Sequence, residues 1–507
     1  MATQLDDFSE GAVFPYRMPR VSPDNFDVTC IVNTSTEKSS AKRKHRQRGK
    51  LRKQGFEQSV LDLLNQLQLN EEGYRDEERR QMSDVQVHWL EANKPLQQPL
   101  QRFDEFEINR QIKINMNHCR FVRPLPIQKY VIPYIAHTDA DMIVEAQVGS
   151  GKTLAFVLPI VQKIYELKLG QDQSPNRNAP YAVIVAPIRE LVDQLAAEAT
   201  KFTQSMPGVR VAYGYGDLDM RDSMDMLNKG CDLLFVTPGR LHHYFLEQYE
   251  NRGALLKMTN VKYVVLDEAD HILGDRHKNR DSPNSTNELP DSGEIVEKFI
   301  KNLDDQFQTQ FRVLMFSATL EHKDKIRALV VPTNCVSIKV GSNHSINTIR
   351  RTVVEILNTE DKMNTLINML LEIGDKDIVN GVRNIRKTLI FVNDIRISDR
   401  IAASLLDKRF NVRSINSGRT QRQRYEVMEQ FKKGHIDILV ATDVASRGLN
   451  IAKLDFVINY DIPRHFARNE FYHRIGRCGR VGNAGAAITF FDARTDKHAE
   501  EWLEINN

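Results

Sequence analysis

The chain has 507 residues, of which 41% are apolar and 27% charged, and its formal net charge is +3. This length suggests about two to four domains, and the composition is typical of a globular protein. Overall charge gives no argument for nucleic acid, and no apolar run approaches the roughly 18–20 residues of a membrane span. The five cysteines lie far apart, which argues against a disulfide framework or a zinc site and fits a reducing compartment. Residues 1–20 contain three acids and lack an apolar core, so we expect no secretory signal.

Residues 1–96 are polar, and we interpret them as a basic N-terminal extension that is partly disordered. Within them, the segment 42–53 holds eight lysines and arginines with no intervening acid. Such a cluster is typical of a nucleic-acid patch or a nuclear address, and the alternative is a solvated tail without a partner. The compartment therefore stays open between the cytoplasm and the nucleus.

A short amphipathic helix is predicted within the extension. Phe56, Val60, Leu63, Leu64 and Leu67 recur at helical spacing. The apolar face of residues 56–69 is a possible docking site for a protein partner, and the alternative is that it folds back on the body of the protein.

From about residue 100, short apolar runs alternate with helical segments, which predicts parallel sheets covered by helices. A polar stretch at 340–347 suits a hinge between two α/β domains, at 97–340 and 348–507. The segment 274–292 lacks periodicity and is predicted to be an exposed loop with no role that we can derive. The apolar runs lie at 142–145, 182–186, 232–236, 263–266 and 313–316 in the first domain, and at 388–392, 436–441, 456–459 and 487–490 in the second.

A phosphate-binding loop is predicted after the first of these runs. Backbone N–H groups of a glycine-bearing loop, with a helix N-terminus behind them, bind phosphate oxygens. Lys152 would reach the β- and γ-phosphates, and the Thr153 hydroxyl would coordinate Mg²⁺. Ala146 stands where the strict signature has glycine. The loop residues proposed to bind the nucleotide are Gly149, Ser150, Gly151, Lys152 and Thr153.

Two acids follow the predicted strand 263–266. A carboxylate at this edge of a parallel sheet lies beside the phosphate loop. Asp267 would hold Mg²⁺ through a bridging water, and Glu268 would polarise the attacking water. The alternative for either residue is an exposed acidic turn.

Three arginines near the C-terminus are spaced by three, with glycines between them. Arg474, Arg477 and Arg480 could form structural salt bridges, but the glycines leave room for a ligand. An arginine supplied to a γ-phosphate contributes about 10³–10⁵ in rate. We favour Arg477 and Arg480 as the phosphate-facing pair.

Four motifs in this order resemble the DEAD-box ATP-dependent RNA helicases of superfamily 2, and within that family the vasa-like branch. The resemblance covers about residues 100–495. It implies two tandem RecA-like domains, each a mostly parallel sheet covered by helices, that bind ATP and Mg²⁺. The motifs are Gly-Ser-Gly-Lys-Thr at 149–153, Asp-Glu-Ala-Asp at 267–270, Ser-Ala-Thr at 317–319 and His-Arg-Ile-Gly-Arg-Cys-Gly-Arg at 473–480.

The resemblance also implies roles for single residues. Gln128 would bind the adenine edge, and Phe103 would stack on the base. Gly448 and Asn450 would contact the nucleotide, Ser317 and Thr319 would couple hydrolysis to strand separation, and His473 would link that segment to the nucleotide. The implied contacts to the RNA backbone are Pro187, Arg189, Thr237, Gly239, Arg240, Phe391, Gln421, Arg424 and Thr442. Such contacts bind single strands without reading bases, although Phe391 could instead be a plain core residue.

The chain departs from the family pattern at several positions. Asn450 replaces an aspartate that would accept from the ribose, so this hydrogen bond should be weaker. Tyr215 replaces a glycine that normally approaches RNA. These changes put turnover and nucleotide affinity in doubt more than the activity itself. The departures are Leu125, Val148, Tyr215, Ser417, Asn450 and Cys478.

The sequence therefore predicts an RNA-stimulated ATP hydrolase that couples ATP binding to local strand separation or to remodelling of RNA–protein complexes. Two alternatives remain. One is an ATP-gated RNA clamp or scaffold with little unwinding, and the other is a DNA-directed motor. The sequence names neither the RNA target nor the cellular process.

Overall fold

The computed structural model describes residues 30–33, residues 85–492 with short gaps, and residue 496. The basic cluster at 42–53, the predicted helix at 56–69 and nearly all of the predicted loop 274–292 lie outside the described residues. The gaps are 120, 148–149, 170–178, 205, 207, 217, 248–255, 275–290, 308–309, 320–322, 342–348, 357–360, 375–377, 380, 444–453, 464–467, 479–484 and 493–495.

Strands and helices alternate along most of the described chain. The strands are β1 Cys30–Asn33, β2 Val85–Trp89, β3 Asp141–Ala146, β4 Ala182–Val185, β5 Val211–Gly214, β6 Leu233–Val236, β7 Tyr263–Asp267, β8 Arg312–Ser317, β9 Cys335–Val340, β10 Ile349–Ile356, β11 Ile378–Val379, β12 Val382–Arg383, β13 Thr388–Val392, β14 Val412–Ile415, β15 Ile438–Thr442, β16 Phe456–Asn459 and β17 Gly485–Phe491. The α-helices are α1 Arg110–His118, α2 Pro126–His137, α3 Lys152–Leu169, α4 Arg189–Thr203, α5 Met220–Asn228, α6 Pro238–Leu241, α7 Ala269–Leu273, α8 Ser292–Phe307, α9 Lys323–Ala328, α10 Lys362–Ile373, α11 Ile395–Asp407, α12 Gln421–Lys432 and α13 Arg468–Ile475.

The first sheet has eight strands in the order β2-β9-β3-β8-β7-β4-β6-β5. Its strand pairs are parallel except for β2 against β9. Alternate side chains of β3 enter different cores, since Met142 and Val144 pack in one cluster and Ile143 in another. A strand buried on both faces requires the continuous apolar runs that the sequence shows. The five runs predicted as strands in this domain are confirmed as β3, β4, β6, β7 and β8.

The second sheet has seven strands in the order β1-β10-β17-β16-β13-β15-β14, and all its pairs are parallel. Apolar clusters cover both of its faces. The four runs predicted in this half are confirmed as β13, β15, β16 and β17. Within the described part of the chain, no helix is both long and apolar enough to span a membrane.

Two strands lie inside the segment that the sequence analysis assigned to the N-terminal extension. Strand β2, at 85–89, pairs with β9 at the edge of the first sheet, and β1 pairs with β10 at the edge of the second. Strand β2 alternates between partly buried and exposed residues, as expected for a half-covered edge strand. The first sheet therefore begins before residue 97, because an edge strand lacks the continuous apolar run that marked the central strands.

Candidate active site

The predicted phosphate loop joins β3 to α3, and its geometry depends on one glycine. Gly151 has a φ of +92°, and a Cβ atom there would lie 2.5 Å from Nε2 of Gln128. Only glycine adopts this backbone without strain or collision. Lys152 begins α3, is buried, and donates from Nζ to the Ala146 carbonyl at 3.0 Å. The lysine is thus held across the loop, although Gly149 lies outside the described residues.

Gln128 supports the loop from the neighbouring helix. Its Nε2 donates to the Gly151 carbonyl at 3.2 Å, and its Oε1 accepts from the backbone N–H of Leu125 at 2.8 Å. The second bond belongs to a cap at the start of α2. Leu125, where the family has threonine, leaves this backbone bond intact. Phe103 is buried in the first core cluster, so its predicted stacking on adenine stays a prediction.

Two buried carboxylates lie at the end of β7. Burial, more than the neighbouring Glu268 charge, raises the pKa of Asp267 to about 7, while Lys152 opposes the shift. Oδ1 of Asp267 and Oε2 of Glu268 are buried without a hydrogen-bond partner among the described residues. Glu268 also has a φ of +53°, a strained conformation for a residue other than glycine. A buried, unpaired carboxylate oxygen beside a phosphate loop fits a hydrated Mg²⁺ ion, and Asp267 provides one.

A chain of hydrogen bonds runs from the first domain to the second. The Ser317 hydroxyl donates to the carbonyl of Thr319, whose own hydroxyl donates to Oδ2 of Asp270 at 3.1 Å. The same oxygen lies 3.2 Å from Nε2 of His473 in the second domain. Burial raises the pKa of Asp270, but the His473 hydrogen bond and nearby positive charge outweigh it and hold the pKa well below its usual range. The segment predicted to couple hydrolysis to movement is therefore bonded to His473 through one carboxylate.

The three C-terminal arginines differ in their surroundings. Arg474 is buried, donates from Nε to Asp443 at 2.6 Å and from Nη2 to Asn393 at 3.0 Å, and lies over the Phe391 ring. These partners occupy its guanidinium, which gives Arg474 a structural role. Arg477 is also buried. Arg480 lies outside the described residues, as do Gly448 and Asn450, so the phosphate-facing pair stays a prediction.

A second link between the domains joins α4 to α12. Glu190 accepts from Arg424, and Nε2 of Gln421 lies 3.4 Å from the same oxygen. The side chains of Arg424 and Glu190 are only 11% and 12% exposed. Within the part of the chain that the structure describes, three polar atoms are buried without a hydrogen-bond partner: Oε1 of Gln421, Nε of Arg424 and the Thr442 hydroxyl. Each of these three predicted RNA-binding residues therefore has a polar atom with which a ligand can form a hydrogen bond.

Other predicted RNA contacts have structural partners. Arg240 donates to the carbonyls of Tyr215 and Leu218, at 2.9 and 2.7 Å, so it holds the loop after β5. Phe391 is buried under Arg474, which matches the core role that the sequence left open. The remaining predicted contacts are partly accessible or lie at helix starts, and they are Pro187, Arg189, Thr237 and Gly239.

The other departures that the structure describes are easily accommodated. The Tyr215 ring stacks against Tyr213, with centroids 6.1 Å apart, and its hydroxyl hydrogen-bonds Asp193. Cys478 is buried and its thiol donates to the Ile475 carbonyl, whereas Ser417 is exposed. Val148 lies outside the described residues.

Two residues that sequence reasoning left without a role connect the domains. Asp270 is the last residue of the Asp-Glu-Ala-Asp motif, and Glu190 directly follows Arg189, a predicted RNA contact. Both were visible as acids within a functional motif. Their partners lie in the other domain, and nothing in local spacing indicates them.

Two family models match the chain. The model described as DEAD/DEAH box helicase matches residues 125–327, and the helicase conserved C-terminal domain matches residues 361–482. Together these matches include β3 to β8 of the first sheet, β13 to β16 of the second, and most of the site residues described above.

Curated proteins and solved structures give further similarities. The chain is 33% identical over 403 residues to the probable ATP-dependent RNA helicase DDX4 of Homo sapiens, a match that covers 79% of this chain and 51% of that protein. It is also 33% identical over 407 residues to the ATP-dependent RNA helicase vasa of Drosophila melanogaster, covering 79% and 54%. The chain thus spans about half the length of the curated relatives it matches. The structure of the DEAD-box helicase Mss116 bound to ssRNA and UDP-BeF is 25% identical with a TM-score of 0.64, covering 77% of this chain and 74% of that one. This likeness confirms two tandem RecA-like domains.

Proposed function

Because this chain belongs to the DEAD-box helicase family and is similar to its vasa-like branch, we propose that it is an ATP-dependent RNA helicase. ATP hydrolysis stimulated by RNA is coupled to local duplex unwinding or to remodelling of RNA–protein complexes. The observation that carries this proposal is the bonded path from Ser317 and Thr319 through Asp270 to His473. This path of hydrogen bonds connects the edge of the first domain that carries the proposed nucleotide site to the second domain.

The phosphate loop and the acids of β7 supply the hydrolysis. Lys152 binds the β- and γ-phosphates, and the glycine-bearing loop gives them backbone N–H groups. Glu268 orients and polarises the attacking water, and Arg477 and Arg480 stabilise the charge that develops on the transferred phosphoryl group. When bound, Mg²⁺ neutralises phosphate charge, and Thr153 and Asp267 are the residues that would hold it.

RNA binds across the two domains and stabilises their closed arrangement. Gln421, Arg424 and Thr442 offer unpaired polar atoms to sugar and phosphate groups, and such contacts carry no base sequence. Closure is driven only by ligands that bind the closed state more tightly than the open one. One RNA strand is bent away from its partner as the domains close, and hydrolysis reopens them.

Glu268→Gln tests the hydrolytic role. The substitution keeps the size of the side chain but removes the base, so ATP binding should persist while turnover falls by about 10²–10⁴-fold. Fluorescent-nucleotide titration and RNA-stimulated phosphate release measure the two quantities. Glu166→Gln, on the helix that follows the phosphate loop, is the matched control. Unchanged RNA-stimulated hydrolysis in Glu268→Gln would remove this residue from its role.

An ATP-gated RNA clamp or scaffold is the second candidate function. It is favoured by the Glu190–Arg424 pair, because an ion pair that holds the closed state also prolongs RNA binding. A short duplex with a single-stranded overhang separates the two candidates. ATP-dependent release of the shorter strand supports the helicase, whereas ATP-dependent binding without release supports the clamp. Competition by single-stranded DNA for ATPase stimulation tests the DNA-directed alternative.

The RNA target and the compartment remain proposals of the same kind. Cytoplasm, nucleus and ribonucleoprotein granules all suit the basic cluster at 42–53, and residues 56–69 are the proposed docking segment for a protein partner. Crosslinking in cells with sequencing of the bound RNA identifies both target and compartment.

A further inference from the structure

Three metal-ligating side chains meet where the two domains touch. Asp270, His271 and His473 each offer one ligand atom, and these atoms lie within 4.8 Å of one another. The rings of His271 and His473 meet edge to face with centroids 4.7 Å apart. Asp270 and His271 are neighbours on α7, whereas His473 comes from α13 of the second domain. The cluster is therefore complete only when the domains are closed.

The chemistry of this cluster differs from that of the nucleotide site. Two imidazoles and one carboxylate suit Zn²⁺ and similar transition-metal ions, whereas Mg²⁺ prefers oxygen ligands and retained water. The scattered cysteines argued against a zinc site, but this cluster contains no cysteine. Its three ligands leave one position open, unlike the four-ligand sites that stabilise small folds.

The spacing of two of the ligand atoms already suits such an ion. Oδ2 of Asp270 lies 3.2 Å from Nε2 of His473, and both side chains are only 7% exposed. Tetrahedral Zn²⁺ with bonds of about 2.0–2.2 Å places neighbouring ligand atoms roughly 3.3–3.5 Å apart. The ligand atom of His271 lies within 4.8 Å of both, so the three atoms are close enough to converge on one ion.

We propose that Asp270, His271 and His473 form an inhibitory transition-metal site of the Zn²⁺ class that assembles on closure and bridges the two domains. The ion holds the domains together because it gains ligands from both. It also competes with the hydrogen bonds that Asp270 accepts from Thr319 and His473. Inhibition of turnover by the metal rests on the proposed function, but metal binding itself does not.

Cobalt(II) is the probe of choice, because histidine ligands in a four- or five-coordinate site give it intense visible absorption. The full chain, free of any affinity tag, is titrated with Co²⁺ in excess Mg²⁺, alone and with single-stranded RNA and a non-hydrolysable ATP analogue. We expect one Co²⁺ per chain, displaced by Zn²⁺. Affinity should rise with the ligands that close the domains, and by linkage Co²⁺ should raise RNA affinity by the same factor.

His271→Gln removes one ligand at a residue that has no assigned contact with ATP or RNA itself, although its ring meets that of His473. It should weaken Co²⁺ binding by about tenfold or more, because two protein ligands hold such ions poorly. His271→Cys, which offers a thiolate, should retain binding. His137→Gln, at an exposed histidine outside the cluster, is the matched control and should bind as the unsubstituted chain does.

The outcomes separate the two proposals. Equal Co²⁺ affinity in the His271→Gln and unsubstituted chains, or no absorbing complex in either, overturns the metal site. A site lost on His271→Gln in a protein without RNA-stimulated hydrolysis supports the metal site and overturns the proposed function. Micromolar Zn²⁺ that inhibits hydrolysis in the unsubstituted chain but not in His271→Gln supports both.

Discussion

Replacing Glu190 by glutamine should weaken the closure of the two domains without affecting nucleotide binding. The carboxylate accepts from Arg424 and lies 3.4 Å from Nε2 of Gln421, both in the other domain. Glutamine keeps one acceptor oxygen but removes the charge. Because Glu190 lies on α4, and the nucleotide-binding groups belong to the phosphate loop and β7, the substitution should leave the nucleotide site unchanged.

The magnitude follows from the burial of the pair. Removing one partner of a buried, hydrogen-bonded ion pair costs about 2–5 kcal/mol, much of it because the other charge is left unpaired. The Arg424 side chain is 11% exposed and its Nε already lacks a partner, so little water is available to replace the carboxylate. Since glutamine still accepts one hydrogen bond, we expect a loss of about 1–3 kcal/mol, or roughly 5–150-fold in the closure equilibrium.

Energy transfer between dyes on the two domains, recorded while RNA is added, measures this closure. The RNA concentration for half-maximal ATPase stimulation should rise by a similar factor, while affinity for nucleotide alone should stay unchanged. Glu198→Gln is the matched control. Glu198 lies on the same helix, pairs with Lys201 of that helix at 2.7 Å, and is more exposed than Glu190. Its loss should cost less than about 1 kcal/mol.

A double-mutant cycle of Glu190→Gln and Arg424→Gln tests whether these two side chains interact across the domains. If the two side chains interact in the closed state, the double variant should lose less than the sum of the single losses, by about 0.5–3 kcal/mol. Strictly additive losses, or Glu190→Gln closing as readily as Glu198→Gln, would refute the reasoning.

Three further predictions concern pH, stability and the phosphate loop. Burial raises the pKa of Asp193 from its ordinary value of 3.8 to about 6. Between pH 3.8 and pH 6, the folded chain therefore binds more protons than the unfolded chain. Its contribution to the free energy of unfolding therefore falls as pH rises through that window, and thermal unfolding of Asp193→Asn between pH 4 and 7 should lack this slope. Arg474→Met removes a buried guanidinium from its polar partners and should lower the free energy of unfolding in denaturant by about 3–5 kcal/mol. Arg422→Met, at a side chain that is 89% exposed, is the control and should lower it by less than about 1 kcal/mol. Gly151→Ala places a side chain at a φ of +92°, where its Cβ collides with Gln128. Because this conformation costs about 1–3 kcal/mol of backbone strain, a nucleotide titration should show ATP affinity lowered by about tenfold or more.

The central strands were predictable because burial on both faces imposes a continuous apolar run. Strand β7, for example, reads as five buried residues in succession. Strand β2 was missed because it is an edge strand whose residues alternate between partly buried and exposed. The domain boundary was therefore set after β2, although this strand belongs to the first sheet.

The site was predictable where local sequence determines local geometry. A glycine-bearing turn followed by lysine at a helix start needs no distant partner, and the structure brings Gly151 and Lys152 into that arrangement. Arg240 shows the opposite case. Its motif identifies an arginine near the RNA path, but only the fold reveals that its guanidinium is directed to two backbone carbonyls. Distant partners decide which charged groups remain available to a ligand.

One carboxylate oxygen connects the closure of the two domains with the proposed coupling of ATP hydrolysis to that movement, so the two cannot change independently. Oδ2 of Asp270 accepts from Thr319 of the first domain and lies within hydrogen-bond distance of His473 in the second. When the domains part, His473 withdraws, and the low pKa of Asp270 loses its main support. The Thr319 hydroxyl then donates its hydrogen bond to a carboxylate that no longer has His473 beside it. Any ligand that stabilises this bond must, by reciprocity, also favour closure. On the proposed function, this shared acceptor is one short route for coupling between the domains, beside the Glu190–Arg424 pair.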